Sequence, residues 1–136
     1  MPKIHPLRPP ETEKITINLG HVDLGRIDLL VSEGFYSNRT DFIRTAIRNQ
    51  ITTEQDQVTS SMRRHTLELG LVDLTRAQLE AARSKGEVLD IRVVGLARIA
   101  SDVSTDLALA TIGSIHVLGA LQASRELKAA LKDRMT

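Results

Sequence analysis

The sequence predicts an α+β protein made of two small units. Residues 14–19 alternate polar and apolar side chains, which is typical of a strand with one buried face. Two helical patterns follow this segment before residue 58. From Val88 onwards, short aliphatic segments are interrupted by glycines, which indicates a second, small sheet with bulges or tight corners.

Composition narrows the class of protein. The chain has 136 residues, with 18 Lys and Arg against 17 Asp and Glu, no Cys, and only three aromatic residues. The missing cysteines exclude a disulfide scaffold, thiolate metal sites and cysteine nucleophiles. A net charge of +1 leaves nucleic acid open as a partner, provided that folding or oligomerisation concentrates the basic groups locally.

The N-terminal segment is predicted to be a flexible, proline-rich arm over residues 1–12. All four prolines lie in the first ten residues, which lack the apolar run of a secretory signal. No stretch reaches the roughly 18 consecutive apolar residues of a membrane helix. We therefore expect a cytoplasmic protein, with association with the nucleoid as an option.

A strand and a helix form the start of the first unit. In the strand over residues 14–19, Lys14, Thr16 and Asn18 share one face, and the three aliphatic residues between them share the other. A helix is predicted from about Val22 to Glu33, and Gly34 is placed to close it in the left-handed conformation.

A second helix completes this unit. Ser37 or Asn38 is predicted to cap it, and it is expected to run to about Gln57. The strand has no partner within its own unit, and the two helices expose more apolar surface than they can bury on each other. The economical solution is a second copy of the chain, with two antiparallel strands over four helices.

A connector and an internal repeat follow. Residues 58–65 are polar and rich in Ser and Thr, which favours a linker. Residues 19–26 then recur in altered form at residues 69–76, where a helix is predicted from about Leu74 to Ser84. This repeat has two possible explanations. It is either a degraded duplication or the use of similar turn chemistry in two strand-turn-helix units.

Residues 66–136 are predicted to form an α+β domain that joins subunits. Residues 91–95 and 115–119 match at an offset of 24, and the strand-like alternation extends back to Leu107. We interpret these two segments as part of an ordinary small sheet, with a resemblance to the short rungs of β-solenoid proteins as the alternative. Ser124 is predicted to cap a final helix with Glu126 in its first turn. A glycine-interrupted aliphatic sheet suits subunit packing better than a ligand pocket with aromatic walls.

The first unit resembles the ribbon-helix-helix domain of the MetJ/Arc/CopG superfamily. The resemblance covers residues 14–51 and rests on the alternating strand, the helix closed by Gly34, and the Ser-containing turn before an Ile-Arg-Thr-Ala-Ile-Arg helix at residues 43–48. It implies a DNA-binding domain, placed at residues 13–57, that forms an intertwined dimer. The paired strands of such a dimer enter the major groove as a ribbon.

The resemblance also assigns roles to residues of this chain. It implies that the outward strand residues contact base edges and that the start of the second helix contacts phosphate. The base-contacting residues are then Lys14, Thr16 and Asn18, and the phosphate-contacting residues are Ser37, Asn38, Arg39 and Arg44. Independently of the resemblance, Lys suits guanine, Asn suits adenine, and a helix N-terminus suits a phosphate. The alternative is that these side chains form only solvated faces and a helix cap.

Other chemistry is not indicated. The four histidines are scattered, and no paired-carboxylate, Ser/His/Asp or phosphate-loop pattern is present. We therefore predict no enzyme activity, no metal site and no cofactor. The predicted function is that of a sequence-specific DNA-binding transcriptional regulator, and specifically a repressor. We expect residues 66–136 to assemble dimers into tetramers or larger oligomers. The same residues are also a candidate binding site for a protein partner. The alternatives are an antitoxin with a toxin-neutralising tail and a structural protein that uses the fold only to dimerise or polymerise.

Overall fold

The computed structural model describes residues 11–136, and these divide into two compact units. Residues 12–64 form the N-terminal unit, and residues 65–136 together with Glu11 form the C-terminal unit. The predicted arm over residues 1–12 lies almost wholly outside the described residues.

The first helix of the N-terminal unit ends as the sequence predicts. Helix α1 spans His21–Ser32, and Gly34 follows it with a φ of 84°. The Gly34 N–H donates to the Val31 carbonyl at 3.0 Å, and the Phe35 N–H donates to the Leu30 carbonyl at 3.0 Å. This pair of bonds is a Schellman motif, which satisfies carbonyls that a helix end leaves without partners.

The second helix is shorter than expected, and a third one follows it. Helix α2 spans Arg39–Thr53 with Asn38 as its N-cap, and helix α3 spans Gln55–His65. The prediction that the second helix runs to about residue 57 was therefore wrong, and residues 58–65 are helical. Neither Pro nor Gly interrupts this stretch, and side-chain hydrogen bonds four residues apart support it, as from Gln55 to Thr59.

Residues 12–20 belong to neither a helix nor a sheet, so the structure does not show the predicted ribbon. A strand is defined by hydrogen bonds to a neighbouring strand. All three strands within residues 11–136 lie in the C-terminal unit, where they pair with one another. The N-terminal unit of a single chain thus offers the segment over residues 14–19 no strand to pair with.

Strands and helices alternate in the C-terminal unit. The order is β1 (Glu68–Leu74), α4 (Arg76–Ser84), β2 (Leu89–Ile99), α5 (Thr105–Thr111), β3 (Ile112–Gln122), α6 (Arg125–Ala130) and a 3-10 turn over Lys132–Arg134. The three strands form a parallel sheet in the order β1-β2-β3. The match at an offset of 24 is the pairing register of β2 and β3, since Ile91 lies opposite Ile115 and Gly95 opposite Gly119.

The core of this unit is aliphatic and lies on one face of the sheet. Alternate residues of β2, including Ile91, Val93 and Ala97, are buried together with Leu79 of α4 and Leu127 of α6. Few aromatic residues were available, and the core contains none. The predicted glycine-interrupted aliphatic sheet is therefore present.

Three predicted element boundaries in this unit were wrong. The strand-like alternation that begins at Leu107 starts inside helix α5, because Ser104 accepts the Leu107 N–H at 3.1 Å and so caps a helix. Helix α4 begins at Arg76 and not at Leu74, because Thr75 forms a reciprocal capping box with Gln78. Ser124 caps α6 as predicted, but the helix ends at Ala130.

The two copies of the repeat at an offset of 50 have different structures. Val22-Asp23-Leu24 lies in helix α1, whereas Val72-Asp73-Leu74 lies in strand β1. The helix after the second copy starts only after its Thr75 cap, while Gly20 stands in the cap position of α1. The sequence similarity between the two copies therefore does not extend to their structures.

Candidate nucleic-acid interface

The three predicted base-contacting residues lie in the segment before α1. Lys14, Thr16 and Asn18 are exposed, as are all residues from 11 to 20. Between them, the side chains of Ile15 and Ile17 are 71% and 57% exposed. An apolar row this open in water is unfavourable unless another surface covers it.

Much of the apolar surface of the N-terminal unit is left uncovered. Ile27 is the one buried hydrophobic residue described between residues 12 and 64. Large apolar side chains stay exposed along the segment and on both helices, namely Ile15, Ile17, Leu19, Val22, Leu29, Phe35, Ile47 and Ile51. A unit with one buried side chain lacks a core of its own, so it needs a partner to fold stably.

A reciprocal set of hydrogen bonds organises the start of α2. The Asn38 Oδ1 atom accepts the Asp41 N–H at 2.8 Å, and the Asp41 Oδ2 atom accepts the Ser37 N–H at 2.9 Å. The sequence offered Ser37 or Asn38 as the cap, and the structure shows that it is Asn38. Sequence reasoning missed Asp41, although the Asn-x-x-acid spacing signals such a cap. The Asp41 carboxylate therefore lies at the helix end where a phosphate is expected, and it already accepts the hydrogen bond that the Ser37 N–H donates.

Arg39 is held by a carboxylate of the preceding helix. Its Nε and one terminal nitrogen donate to the two oxygens of Asp28, each at 2.8 Å. This fork lowers the pKa of Asp28 below its ordinary 3.8, chiefly through the hydrogen bond from Arg39, and raises the pKa of Arg39. The pair links α1 to the start of α2, and no spacing rule in the sequence signals it.

Arg44 is the other predicted phosphate contact with a charged side chain, and this side chain remains available. It is exposed on α2, and the structure shows no ion pair for it with any of residues 11–136. The turn before it is fixed by an edge-to-face contact of Tyr36 with Phe42, whose ring centroids lie 5.0 Å apart. Ser37, Asn38 and Arg39 thus meet at one helix end, with Arg44 further along the same helix.

The described part of the chain shows neither a metal-binding cluster nor a membrane-spanning helix. Between residues 11 and 136, no group of three or more His, Cys, Asp or Glu side chains is arranged to hold a metal ion. None of the helices in that range is long and apolar enough to cross a membrane.

Comparison with known proteins identifies the family. The model of the ribbon-helix-helix transcriptional regulator family matches residues 10–128, and the match includes residues of both units. No curated protein and no solved structure matches the chain. Because the family model spans most of the sequence, this chain belongs to the ribbon-helix-helix transcriptional regulator family.

Proposed function

We propose that this protein is a sequence-specific DNA-binding repressor that reads the major groove with a two-stranded ribbon. The observation that carries the proposal is the segment over residues 14–19, where a polar row and an aliphatic row alternate and both are exposed. Pairing this segment with its copy in a second chain buries the aliphatic row. The same pairing presents the polar row twice, once from each chain.

The polar row has the chemistry of base recognition. Lys14 is a donor for the O6 and N7 atoms of guanine, and Asn18 has the donor and acceptor that adenine requires. Thr16 provides a hydroxyl and a methyl group, and the methyl group is suited to contact with thymine. Two copies related by a two-fold axis predict an operator with two inverted half-sites.

The start of α2 is the proposed phosphate contact. The N–H groups of Asn38 and Arg39 belong to the turn that a helix leaves without internal acceptors. Ser37 directly precedes them in the sequence, and its hydroxyl is the third proposed donor. Because Asp28 holds the guanidinium of Arg39, we assign Arg39 a backbone contact. Arg44 supplies the charge contact.

The charge balance of the N-terminal unit favours specificity over non-specific attraction. Residues 12–64 contain seven Lys and Arg and seven Asp and Glu, so the net charge of the unit is 7 − 7 = 0. Non-specific affinity for DNA depends on phosphate neutralisation, which a neutral unit supplies weakly. Binding then depends on base contacts and on the joining of several dimers.

The C-terminal unit is the proposed means of joining dimers into tetramers or larger oligomers. Its aliphatic core is already buried within one chain, as for Leu79, Ile112 and Leu127, each 0% exposed. Such a folded unit argues against the antitoxin alternative, in which the tail folds only on its toxin. We expect the protein to act on DNA in the cytoplasm as a repressor, by occupying its site.

Selection of bound duplexes from a random DNA pool tests this function. We expect enrichment of one sequence whose two inverted half-sites are spaced for a two-fold dimer. The selection uses the full chain at fixed salt, because weak phosphate contacts alone also retain DNA at low salt. A pool that stays random after several rounds, at salt where the protein is folded, contradicts the proposal.

A further inference from the structure

Arg98 of β2 is the one charged residue that is buried within residues 11–136, and its side chain is 9% exposed. The residues of β2 that belong to the core are Ile91, Val93, Ala97 and Ile99, so Arg98 lies on the opposite face of the sheet. A buried arginine lowers stability unless carboxylates pair with it, and an apolar side chain of similar volume often serves a fold equally well. The core of the C-terminal unit therefore does not explain why this position carries an arginine.

Two carboxylates pair with Arg98, and they come from different parts of the chain. Its Nη2 atom donates to Glu11 Oε1 at 3.0 Å, and its Nε atom lies 3.2 Å from Asp73 Oδ1. Asp73 lies opposite Arg98 in the register of β1 and β2, so this partner belongs to the sheet itself. Glu11 lies 87 residues before Arg98 in the sequence. The arginine therefore connects the sheet to the chain directly before residue 12.

Glu11 stands just before the segment to which we assign base reading. Only Thr12 and Glu13 separate it from Lys14, and three residues of extended chain span at most about 11 Å. Residues 12–20 belong to neither a helix nor a sheet, so no regular secondary structure of the single chain fixes this segment. A contact at Glu11 therefore limits the positions that Lys14 can take.

The residue that follows the N-terminal unit is also held by an arginine of β2. Arg92 donates from Nη1 to the His65 carbonyl at 3.0 Å, and its Nε donates to Asp90 Oδ2 at 2.8 Å. His65 is the last residue of α3, and the N-terminal unit ends just before it. The residues on either side of the N-terminal unit, Glu11 and His65, are therefore both bound to the same strand of the C-terminal unit.

We propose that Arg98 is a positioning residue for DNA reading, because it anchors Glu11 and thereby fixes the start of the segment over residues 14–19. The guanidinium is buried and paired, so it acts through Glu11 and not by touching DNA. An anchored segment has fewer conformations to lose than a free one, so pairing with a second chain and contact with bases cost less conformational entropy. The DNA part of this inference rests on the proposed function, whereas the anchoring is a property of the free protein.

Glu11→Gln tests the anchor, with Glu13→Gln as the matched control. Both changes remove one negative charge from the same exposed segment, so both strengthen the general attraction to phosphate to a similar extent. Only the first change removes an ion pair, since the structure shows none for Glu13 with any of residues 11–136. We expect the ratio of affinities for the selected operator and a scrambled duplex, at one salt concentration, to fall roughly 5-fold in Glu11→Gln and to stay at the wild-type value in Glu13→Gln.

A measurement without DNA tests the anchoring separately. Backbone order parameters from NMR relaxation report the mobility of the amides of residues 12–16 in the free full-length protein. We expect them to fall in Glu11→Gln and not in Glu13→Gln. Order parameters that are the same in the wild type and Glu11→Gln overturn the proposal. A fall in Glu11→Gln together with equal wild-type binding to both duplexes contradicts base reading and supports the anchor.

A double-mutant cycle shows whether Glu11 acts through Arg98. Arg98→Met keeps a long side chain but removes its charge and donors, and thermal unfolding followed by circular dichroism checks that this variant folds. The double variant should have the same affinity ratio as either single variant, because each change removes the same contact. A ratio that falls by the product of the two single effects overturns the proposal. Arg98→Lys retains a charged donor without the fork, so its ratio should lie between those of Arg98→Met and the wild type.

Discussion

At the scale of the residue, the pair of Asp28 and Arg39 shapes the start of the proposed phosphate contact. The guanidinium donates to both carboxylate oxygens, so its direction is fixed at a point where the turn between α1 and α2 provides no buried core. Both side chains are about half exposed, so salt weakens the pair. The main effect of the pair is to position the N-terminus of α2.

The pair makes a prediction for pH. Because Arg39 lowers the pKa of Asp28 below 3.8 in the folded state, the stabilisation is present above the unfolded value and is lost as the pH falls through the folded pKa. Carboxyl titration by NMR should show the pKa of Asp28 returning toward 3.8 in Arg39→Gln. Arg48→Gln on the same helix is the control and should leave it unchanged. An Asp28 pKa that is the same in the wild type and Arg39→Gln would contradict the assignment.

At the scale of the element, the sequence predicts features that local chemistry determines. The Gly34 helix end and the Ser124 cap were confirmed, and of the two predicted caps of α2, Ser37 or Asn38, the structure has Asn38. Each of these features depends on hydrogen bonds within a few residues. The pairing of Gly95 with Gly119 was visible as an offset of 24, since a parallel register repeats at the length of one strand-helix unit.

Other features needed information that a local pattern does not contain. Helix α5 was predicted as a strand from Leu107 onwards, because a short aliphatic run fits both periods and the Ser104 cap decides between them. Arg98 is buried beside Asp73 and Glu11, and Glu11 lies 87 residues away in sequence. The fork between Arg39 and Asp28 is likewise a tertiary contact. The ribbon stays a prediction, since its partner strand belongs to a second chain.

Gly95 of β2, which lies opposite Gly70 of β1 in the sheet, makes a prediction for stability. Gly95→Ala combines a strained backbone with a Cβ placed 2.2 Å from the Gly70 carbonyl oxygen, so it should cost at least about 3 kcal/mol of unfolding free energy. Gly34→Ala is the control, because its φ is also positive but nothing lies within 4 Å, and it should cost about 1–2 kcal/mol.

The two effects can be measured separately. Tyr36 is the only tyrosine and the chain has no tryptophan, so tyrosine fluorescence during urea unfolding reports on the N-terminal unit. Far-UV circular dichroism follows the C-terminal unit as well. If Gly95→Ala and Gly34→Ala reduced the unfolding free energy equally, the close approach of the Gly70 carbonyl to Gly95 would have no effect on stability.

At the scale of the whole molecule, one chain contains a unit suited to DNA contact and a second unit that has a core of its own. The N-terminal unit has the exposed polar row and the helix end suited to DNA, but it has a net charge of zero and almost no core of its own. The C-terminal unit has an aliphatic core, and Leu69 and Leu118 of its outer strands are exposed. We expect dimerisation of the first unit, and the proposed joining of dimers through the second, to give several weak DNA contacts the strength of a multivalent one.

The central claim is that the polar row reads bases, and a specificity ratio tests it most directly. Binding to the selected operator and to a scrambled duplex is measured at one salt concentration for Lys14→Ala and Asn18→Ala, with Lys85→Ala and Asn49→Ala as exposed controls of matched type. Each ribbon variant should lose about 1–3 kcal/mol at the operator and much less at the scrambled duplex, while the controls keep the wild-type ratio. An unchanged ratio in both ribbon variants would contradict base reading by residues 14–18.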